Sequence, residues 1–262
     1  MVRWLIGYLL LLCGGASCAI NAAPLKVAVA ANFKPVLKQL TPLFVSQHNI
    51  KLSVSSASTG ILYAQIRHGA PFDVFLSADA KRPELLVKEN LTLSQTPKTY
   101  AIGQLVLWHR DSGLLETAVP DEKLLRSWTG KIALANAKTA PYGLAAKSVL
   151  QHLALWQDKQ SQLVTGSNIA QTQQFMVSGN VELGFVGLSQ VKGQIKGQIK
   201  GQVKGQVNQY WHLPTAWYPP LNQQVVILKR SKQQAHAKTF VNWLLSAKIQ
   251  QHIIQAGFTS AR

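Results

Sequence analysis

The sequence predicts an α/β protein built as two lobes, joined by two crossings of the chain that leave a cleft between them. Three observations carry this. Apolar runs of strand length alternate with stretches of helical spacing along almost the whole chain. The alternation is interrupted by two longer extended segments, around Tyr100–Trp108 and Trp217–Val226, which suit crossings between lobes. And 262 residues with 47% hydrophobic content are enough for two cores of ordinary size.

Residues 1–23 read as a secretory signal peptide that precedes the fold. Arg3 supplies the positive start and residues 4–13 the apolar stretch. Gly14, Gly15, Ala16 and Ser17 begin the small-residue end. Cleavage fits after Ala19, with Ala22 or Ala23 as rivals. An uncleaved anchor or a lipoprotein signal at Cys18 are the alternatives. The apolar run is short for a membrane span, and Gly15 stands where lipoprotein signals want Leu. Both cysteines, Cys13 and Cys18, fall in this segment. The exported chain is therefore expected to carry no disulfide and no thiolate metal site.

The elements then follow in order. Residues 25–31 (LKVAVAA) are a continuous apolar run, suited to a strand buried on both faces. Asn32 follows as a plausible N-cap of a helix over 33–47, with Pro35 in the first turn, where its missing N–H costs nothing. Residues 50–56 read as a strand, and Ser58 and Thr59 precede a helix over 60–68. A short strand at 73–76 leads to Asp79, read as the cap of a helix over 81–89. Such alternation implies a parallel sheet with crossover helices. After the extended segment at 100–110 come a short helix at 121–128, a strand at 131–135 and a helix at 142–153. A strand at 163–165, a helix at 170–178 and a strand at 181–188 complete that set. A strand at 223–228 and one or two helices over 235–256 close the chain. Lobe one would hold residues 24–103 and 221–262, and lobe two residues 104–220.

Inside lobe two, residues 192–207 repeat a tetrapeptide: KGQI, KGQI, KGQV, KGQV. Glycine in every repeat suits neither helix nor strand, so a solvated loop is expected. The rival reading is a basic arm that touches an anionic surface. The charge balance is strongly basic, with 27 Lys and Arg against 10 Asp and Glu for a net +17. That raises a nucleic-acid or membrane partner. But one charge belongs to the signal peptide and four to the repeat, so no nucleic-acid partner is expected.

Searches for catalytic patterns find no G-x-S-x-G elbow, Walker-A loop, G-x-G-x-x-G or H-E-x-x-H. The seven histidines (His48, His68, His109, His152, His212, His236, His252) show no metal-ligand spacing and read as surface or capping residues. Asp73 and Asp79 are near neighbours, but each has a structural role. No enzyme, cofactor or direct protein–metal ligand is expected. What stands out is a recurring strand-to-helix junction with small polar residues: Asn32, then Ser58 and Thr59, then Pro141-Tyr142-Gly143, then Ser167-Asn168. Such junctions lie at the carboxyl ends of strands, where ligands bind. Helix starts offer unpaired N–H groups and a positive dipole end. Four of them in one cleft, without a carboxylate, make a site for a small anion.

Here the sequence becomes specific. VAVAANF (27–33), SSASTGILYAQI (55–66), GAPFDVFLSAD (69–79), YAIGQLVLW (100–108), APYGLAA (140–146), SNIAQTQQF (167–175), SGNVELGFVGLSQV (178–191) and WYPP (217–220) resemble the periplasmic molybdate-binding proteins of ABC importers. The resemblance runs in order over essentially the whole chain after the signal peptide, the KGQ repeat excepted. It implies the two-lobe periplasmic-binding-protein fold, with a two-strand hinge and an interlobe ligand cleft. It further implies a monomeric, periplasmic receptor that captures molybdate, with tungstate beside it, and delivers it to a membrane permease. Asn32 matches the family position after the first strand. Thr59 stands where the family has a hydroxyl ligand, with Ser58 its neighbour. Tyr142 fits the Ala-Pro-Tyr-Gly form of one branch, and Ile169 aligns with a residue that offers its backbone N–H. Two departures bear on the molybdate–tungstate preference and the affinity. Ala31 stands where some relatives have Thr, and Gly187 where another branch has a Tyr ligand that Tyr142 would replace. Other readings are a receptor for sulfate or phosphonate, a secreted enzyme, or an adhesive protein using the basic loop.

Overall fold

The computed structural model describes residues 23–110, 120–192 and 210–260. The expected signal peptide, apart from Ala23, and the KGQ repeat, apart from Lys192, lie outside the described residues. The first sheet is built around β1 (Leu25–Ala30), which is buried at every position except Lys26. Val27 and Val29 point to one core and Ala28 to another, as a strand covered on both faces requires. On one face lies α1 (Lys34–His48), which buries Val36, Leu37, Leu40 and Phe44 and stops at Asn49 in the left-handed conformation. Beside it pack α8 (Gln234–Leu244) and α9 (Ala247–Gln255), through Phe240, Leu244 and Ile253. The other face takes α2 (Thr59–Arg67) and α3 (Lys81–Lys88), through Leu62, Ile66 and Leu86.

The remaining strands of this sheet are β2 (Leu52–Ala57), β3 (Val74–Leu76), β4 (Lys98–Ile102) and β10 (Asn222–Ile227), in the order β2-β1-β3-β10-β4. The second sheet has the order β7-β6-β8-β5-β9. It comprises β5 (Leu105–His109), β6 (Ile132–Ala135), β7 (Leu163–Gly166), β8 (Leu183–Gly187) and β9 (Tyr210–His212). Covering it are α4 (Glu122–Ser127), α5 (Pro141–His152), α6 (Ile169–Val177) and a helical turn, α7, over residues 188–192. Among the described residues no helix is long and apolar enough to cross a membrane.

Neither sheet is purely parallel. β10 runs antiparallel to β3 and β4, and β5 antiparallel to β8 and β9. Both are strands on either side of a passage between sheets, and each enters its sheet from the opposite lobe. The extended stretch around Tyr100–Arg110 is correspondingly two strands, β4 in one sheet and β5 in the other, separated only by Gly103 and Gln104. The return passage runs from β9 to β10 through a 3-10 turn at Thr215–Trp217. The two passages are tied together. The Gly103 N–H donates to the Leu221 carbonyl at 2.9 Å, and the Leu105 N–H to the Tyr218 hydroxyl at 3.4 Å.

Local expectations differ in three places. Asn32 is not the cap of α1. Phe33 takes that position, and the Asn32 amide turns inward to Gln223. Asp79 does accept the Arg82 N–H at 3.0 Å, although the chain enters α3 at Ala80. His109 is not on the surface: it is 2% exposed, with its ring edge-on to Trp128.

α5 sits close against the end of β6 because residue 143 is glycine. A β-carbon there would lie 2.2 Å from the Ala135 carbonyl oxygen. Inside a helix, Gly→Ala alone stabilises by about 1 kcal/mol. Gly143→Ala is nonetheless expected to destabilise by about 1–3 kcal/mol, because the obstacle is backbone and cannot swing aside. Denaturant unfolding checks it, and a gain in stability would refute the close approach.

Candidate functional site

The four strand-to-helix junctions meet. Asn32, Ser58 and Thr59 from the first lobe face Tyr142, Asn168 and Ile169 from the second across a cavity of about 10 Å³, the scale of one small group. Ala30, Ala31, Ala78, Ala140 and Pro141 complete the wall. None of these residues is charged. All five residues singled out from the sequence (Asn32, Ser58, Thr59, Tyr142 and Ile169) line the cavity, and each is at most 4% exposed.

Each helix start contributes differently. At α6 the Asn168 side chain accepts from the N–H groups of Ala170 and Gln171, at 2.9 and 3.1 Å. Those caps leave the Ile169 N–H as the first-turn donor without an acceptor in its own helix. At α5 the cap residue is Ala140, which has no side chain to offer. Pro141 carries no N–H, so the open donors there begin at Tyr142. At α2 the cap residue is Ser58, whose hydroxyl makes no capping bond and no hydrogen bond of any kind, although it is buried. The neighbouring Thr59 hydroxyl is engaged, accepting the Ala78 N–H at 3.1 Å. The Ser58 hydroxyl is thus without any partner, while the Thr59 hydroxyl accepts from Ala78 and keeps its own hydrogen to donate. A buried hydroxyl without a partner is costly, and its natural complement is an acceptor placed in the cavity.

Behind the cavity lies a buried polar network that sequence reasoning missed. Gln223 of β10 is fully buried. Its Oε1 accepts from Asn32 Nδ2 and from the Tyr100 hydroxyl, both at 3.0 Å, and its Nε2 donates to the Tyr142 hydroxyl at 3.3 Å. The sequence carried no signal for it, because Asn222, Gln223 and Gln224 are adjacent polar residues and nothing local says which one turns inward. Burial pushes the Tyr142 phenol far above its ordinary range, and nearby Tyr218 adds to this. Hydrogen bonds from Gln223 and Asn32 offset the rise only in part. Burial, with Tyr142 nearby, raises Tyr100 likewise. Tyr142 is thus a neutral hydroxyl at any ordinary pH. The Tyr142 hydroxyl reaches this place because residue 103 is glycine: a β-carbon there would stand 2.3 Å from it. The Tyr142 ring also lies 3.2 Å from where a Gly187 β-carbon would sit, so it fills the space a side chain at 187 would use.

The lobes also touch at the mouth. The Gly60 N–H at the start of α2 donates to the Thr139 carbonyl at 2.8 Å. Arg82, paired with Asp79, donates to the Lys138 carbonyl at 3.2 Å. The lobes are therefore bridged beside a small cavity lined by neutral groups. Such a place suits a compact anion, and its described lining holds no His, Cys, Asp, Glu, Lys or Arg. Among the described residues no three His, Cys, Asp or Glu side chains gather to hold a metal ion.

Comparison with known proteins agrees with this geometry. The family model for bacterial extracellular solute-binding proteins matches residues 25–259. The molybdate-binding protein ModA of Azotobacter vinelandii is 40% identical over 92% of each chain. The ModA of Rhodobacter capsulatus is 34% identical over 94% of this chain and 92% of its own. Among solved structures, the Azotobacter vinelandii periplasmic molybdate-binding protein superposes with a TM-score of 0.81 at 37% identity, covering 91% of this chain and all of that one. With two lobes, a small neutral cavity and relatives of this identity over nearly their full length, the chain belongs to the family of bacterial extracellular solute-binding proteins.

Proposed function

We propose that this protein is a periplasmic receptor that captures molybdate, and tungstate by the same geometry, and delivers it to the membrane permease of an ABC importer. The observation that carries the reading is the convergence of three helix N-termini, one from the first lobe and two from the second, with the Asn32 amide on a cavity of neutral donors that includes the unpartnered Ser58 hydroxyl. The ligand is a tetrahedral dianion bound as the intact oxyanion, so molybdenum itself meets no protein atom and no cofactor is required. Asn32, Ser58 and Tyr142 donate through side chains, and Ile169 through its N–H. Thr59 keeps its hydroxyl hydrogen for the cavity while its oxygen holds Ala78 in place. With the anion filling the cavity in place of water, these dipoles act in a low dielectric and need no countercharge. Because most donors are backbone or tightly packed, the size of the cage is fixed. Tetrahedral anions are then told apart by how well their oxygens reach every donor at once. The export signal, residues 1–23, would bring the receptor to the periplasm, where it acts as a monomer.

Molybdate at a hundred times its Kd is expected to stabilise the protein by about 2.7 kcal/mol, which raises Tm by roughly 5–10 °C. Sulfate is expected to do little. A thermal melt with each anion reads this, and an equal response to sulfate or phosphonate would reassign the ligand.

Ser58→Ala separates binding from folding. Without ligand it is expected to cost nothing or to stabilise slightly, because an unsatisfied buried hydroxyl is removed. With molybdate it is expected to lose about 1.5–3 kcal/mol of binding, tenfold or more. Thr59→Val is expected to lower stability with and without ligand, because the Ala78 N–H then loses its acceptor. Calorimetry and unfolding of both variants decide, and wild-type affinity in Ser58→Ala would misplace the site.

The pH response follows from the tyrosines. Tyr100 and Tyr142 hold their protons more tightly folded than unfolded. Their contribution to stability is complete below pH 10, the ordinary tyrosine value, and is lost as pH rises beyond it. Binding is expected to be flat across neutral pH while stability falls under strong alkali. A titrating step in molybdate affinity near neutrality would contradict a cavity of neutral donors.

A further inference from the structure

The cavity wall has donors that could face either way. A hydroxyl can give its hydrogen to the ligand or to a neighbour behind it, and only the first serves an anion. Something must set that direction, and the structure places one residue where it can. Taking the cavity as the oxyanion site, we infer that Gln223 is a positioning residue for anion capture: it fixes the hydrogen-bond direction of Tyr142 and Asn32 so that both offer hydrogens to the cavity.

Gln223 touches no part of the cavity wall's surface and is itself fully buried on β10. It nevertheless bonds two residues that line the cavity, one from each lobe. Its Oε1 accepts from Asn32 Nδ2 at 3.0 Å, and the single Tyr100 hydrogen is divided between Oε1 at 3.0 Å and the Ser77 carbonyl at 3.1 Å. With Oε1 turned to Asn32, the amide nitrogen faces Tyr142. The Tyr142 oxygen then accepts a hydrogen from behind, and its own hydrogen is left for the cavity. Asn32 is held the same way. One N–H is bonded to Gln223, which fixes the amide plane and turns the second N–H to the Tyr142 oxygen and the front. Turned end for end, the Gln223 amide would set its NH₂ against the Asn32 nitrogen. Its oxygen would then face Tyr142, which would give its hydrogen backwards. The direction of one buried amide therefore decides whether two cavity groups act as donors. Because Asn32 and Tyr100 belong to the first lobe and Tyr142 to the second, Tyr142 is aimed only when the lobes are together.

Two near-isosteric variants test this. In Gln223→Glu the ionised carboxylate accepts everywhere, so it draws the Tyr142 hydrogen away from the ligand. Once protonated, it can again donate to Tyr142. Molybdate affinity of Gln223→Glu, by titration calorimetry, is expected to fall at least tenfold at pH 8 and to recover most of that by pH 6. Binding at pH 8 is expected to take up about one proton, seen as a dependence of the heat on the buffer. The wild type is expected to show neither effect. Gln223→Met, which has the same length and no polarity, is expected to bind at least tenfold more weakly at both pH values. Tyr142→Phe should cost affinity in the wild-type background and little when added to Gln223→Met, because its donor is already misaimed. A purely structural role for Gln223 predicts additive losses for Gln223→Met and Tyr142→Phe, and that pattern overturns the inference. So does wild-type affinity in Gln223→Met, which serves alone if Gln223→Glu folds poorly. Absence of molybdate binding in the wild type would instead overturn the parent reading, and this one with it.

Discussion

A doubly charged anion leaves water only when fixed donors replace its hydration shell, and here neither lobe holds enough of them. That constraint orders the rest of the molecule. Donors must be rigid, so they sit at helix starts, where backbone N–H groups have no partner within the helix. Helix starts must converge, so the helices follow strands whose carboxyl ends face the cleft. Convergence from two lobes needs small residues at the meeting points. Alanines line both walls, glycines stand at 103 and 143, where a hydroxyl or backbone comes too close for a β-carbon, and a β-carbon at Gly60 would meet the Thr139 carbonyl tightly at 3.0 Å.

Much of this was legible in the sequence, for identifiable reasons. The run LKVAVAA could only be a doubly covered strand, and β1 is one. The junction residues were readable because helix caps and strand ends leave a local signature. Ile169 illustrates this well: Asn168 advertises a cap in the sequence, and the cap's two bonds are what leave the Ile169 N–H open. Features that depend on distant partners were not readable. Strand direction in β5 and β10 is settled by where the chain re-enters each sheet. That the Thr59 oxygen is tied to the Ala78 N–H, nineteen residues away, while the Ser58 hydroxyl is without a partner, is set just as remotely. Asn32 resembles an N-cap until Gln223, 191 residues later, takes its amide. His109, scattered like the other histidines, carries no pattern that would foretell its burial.

The net charge of +17 finds no place in the cavity. Its wall is neutral throughout, and a fixed cation there would hold any anion of the right sign. The excess lies outward, on lysines such as Lys34, Lys38 and Lys51. There it acts at long range, drawing anions toward the surface in a manner that salt screens. Selection and attraction are thus handled by different parts of the protein: short fixed dipoles inside, diffuse charge outside.

The two bonds at the mouth, from Gly60 to the Thr139 carbonyl and from Arg82 to the Lys138 carbonyl, join lobe to lobe without passing through the cavity. A bound anion can escape only after the lobes part, so the dissociation rate includes the cost of breaking both. They help set how long the cargo stays while adding nothing to which cargo is chosen. Residence time can therefore drift by substitution at the rim, at Arg82 or around Lys138, while the donor cage stays as it is. A receptor of this kind can be retuned for a scarce or an abundant supply without relearning its ligand.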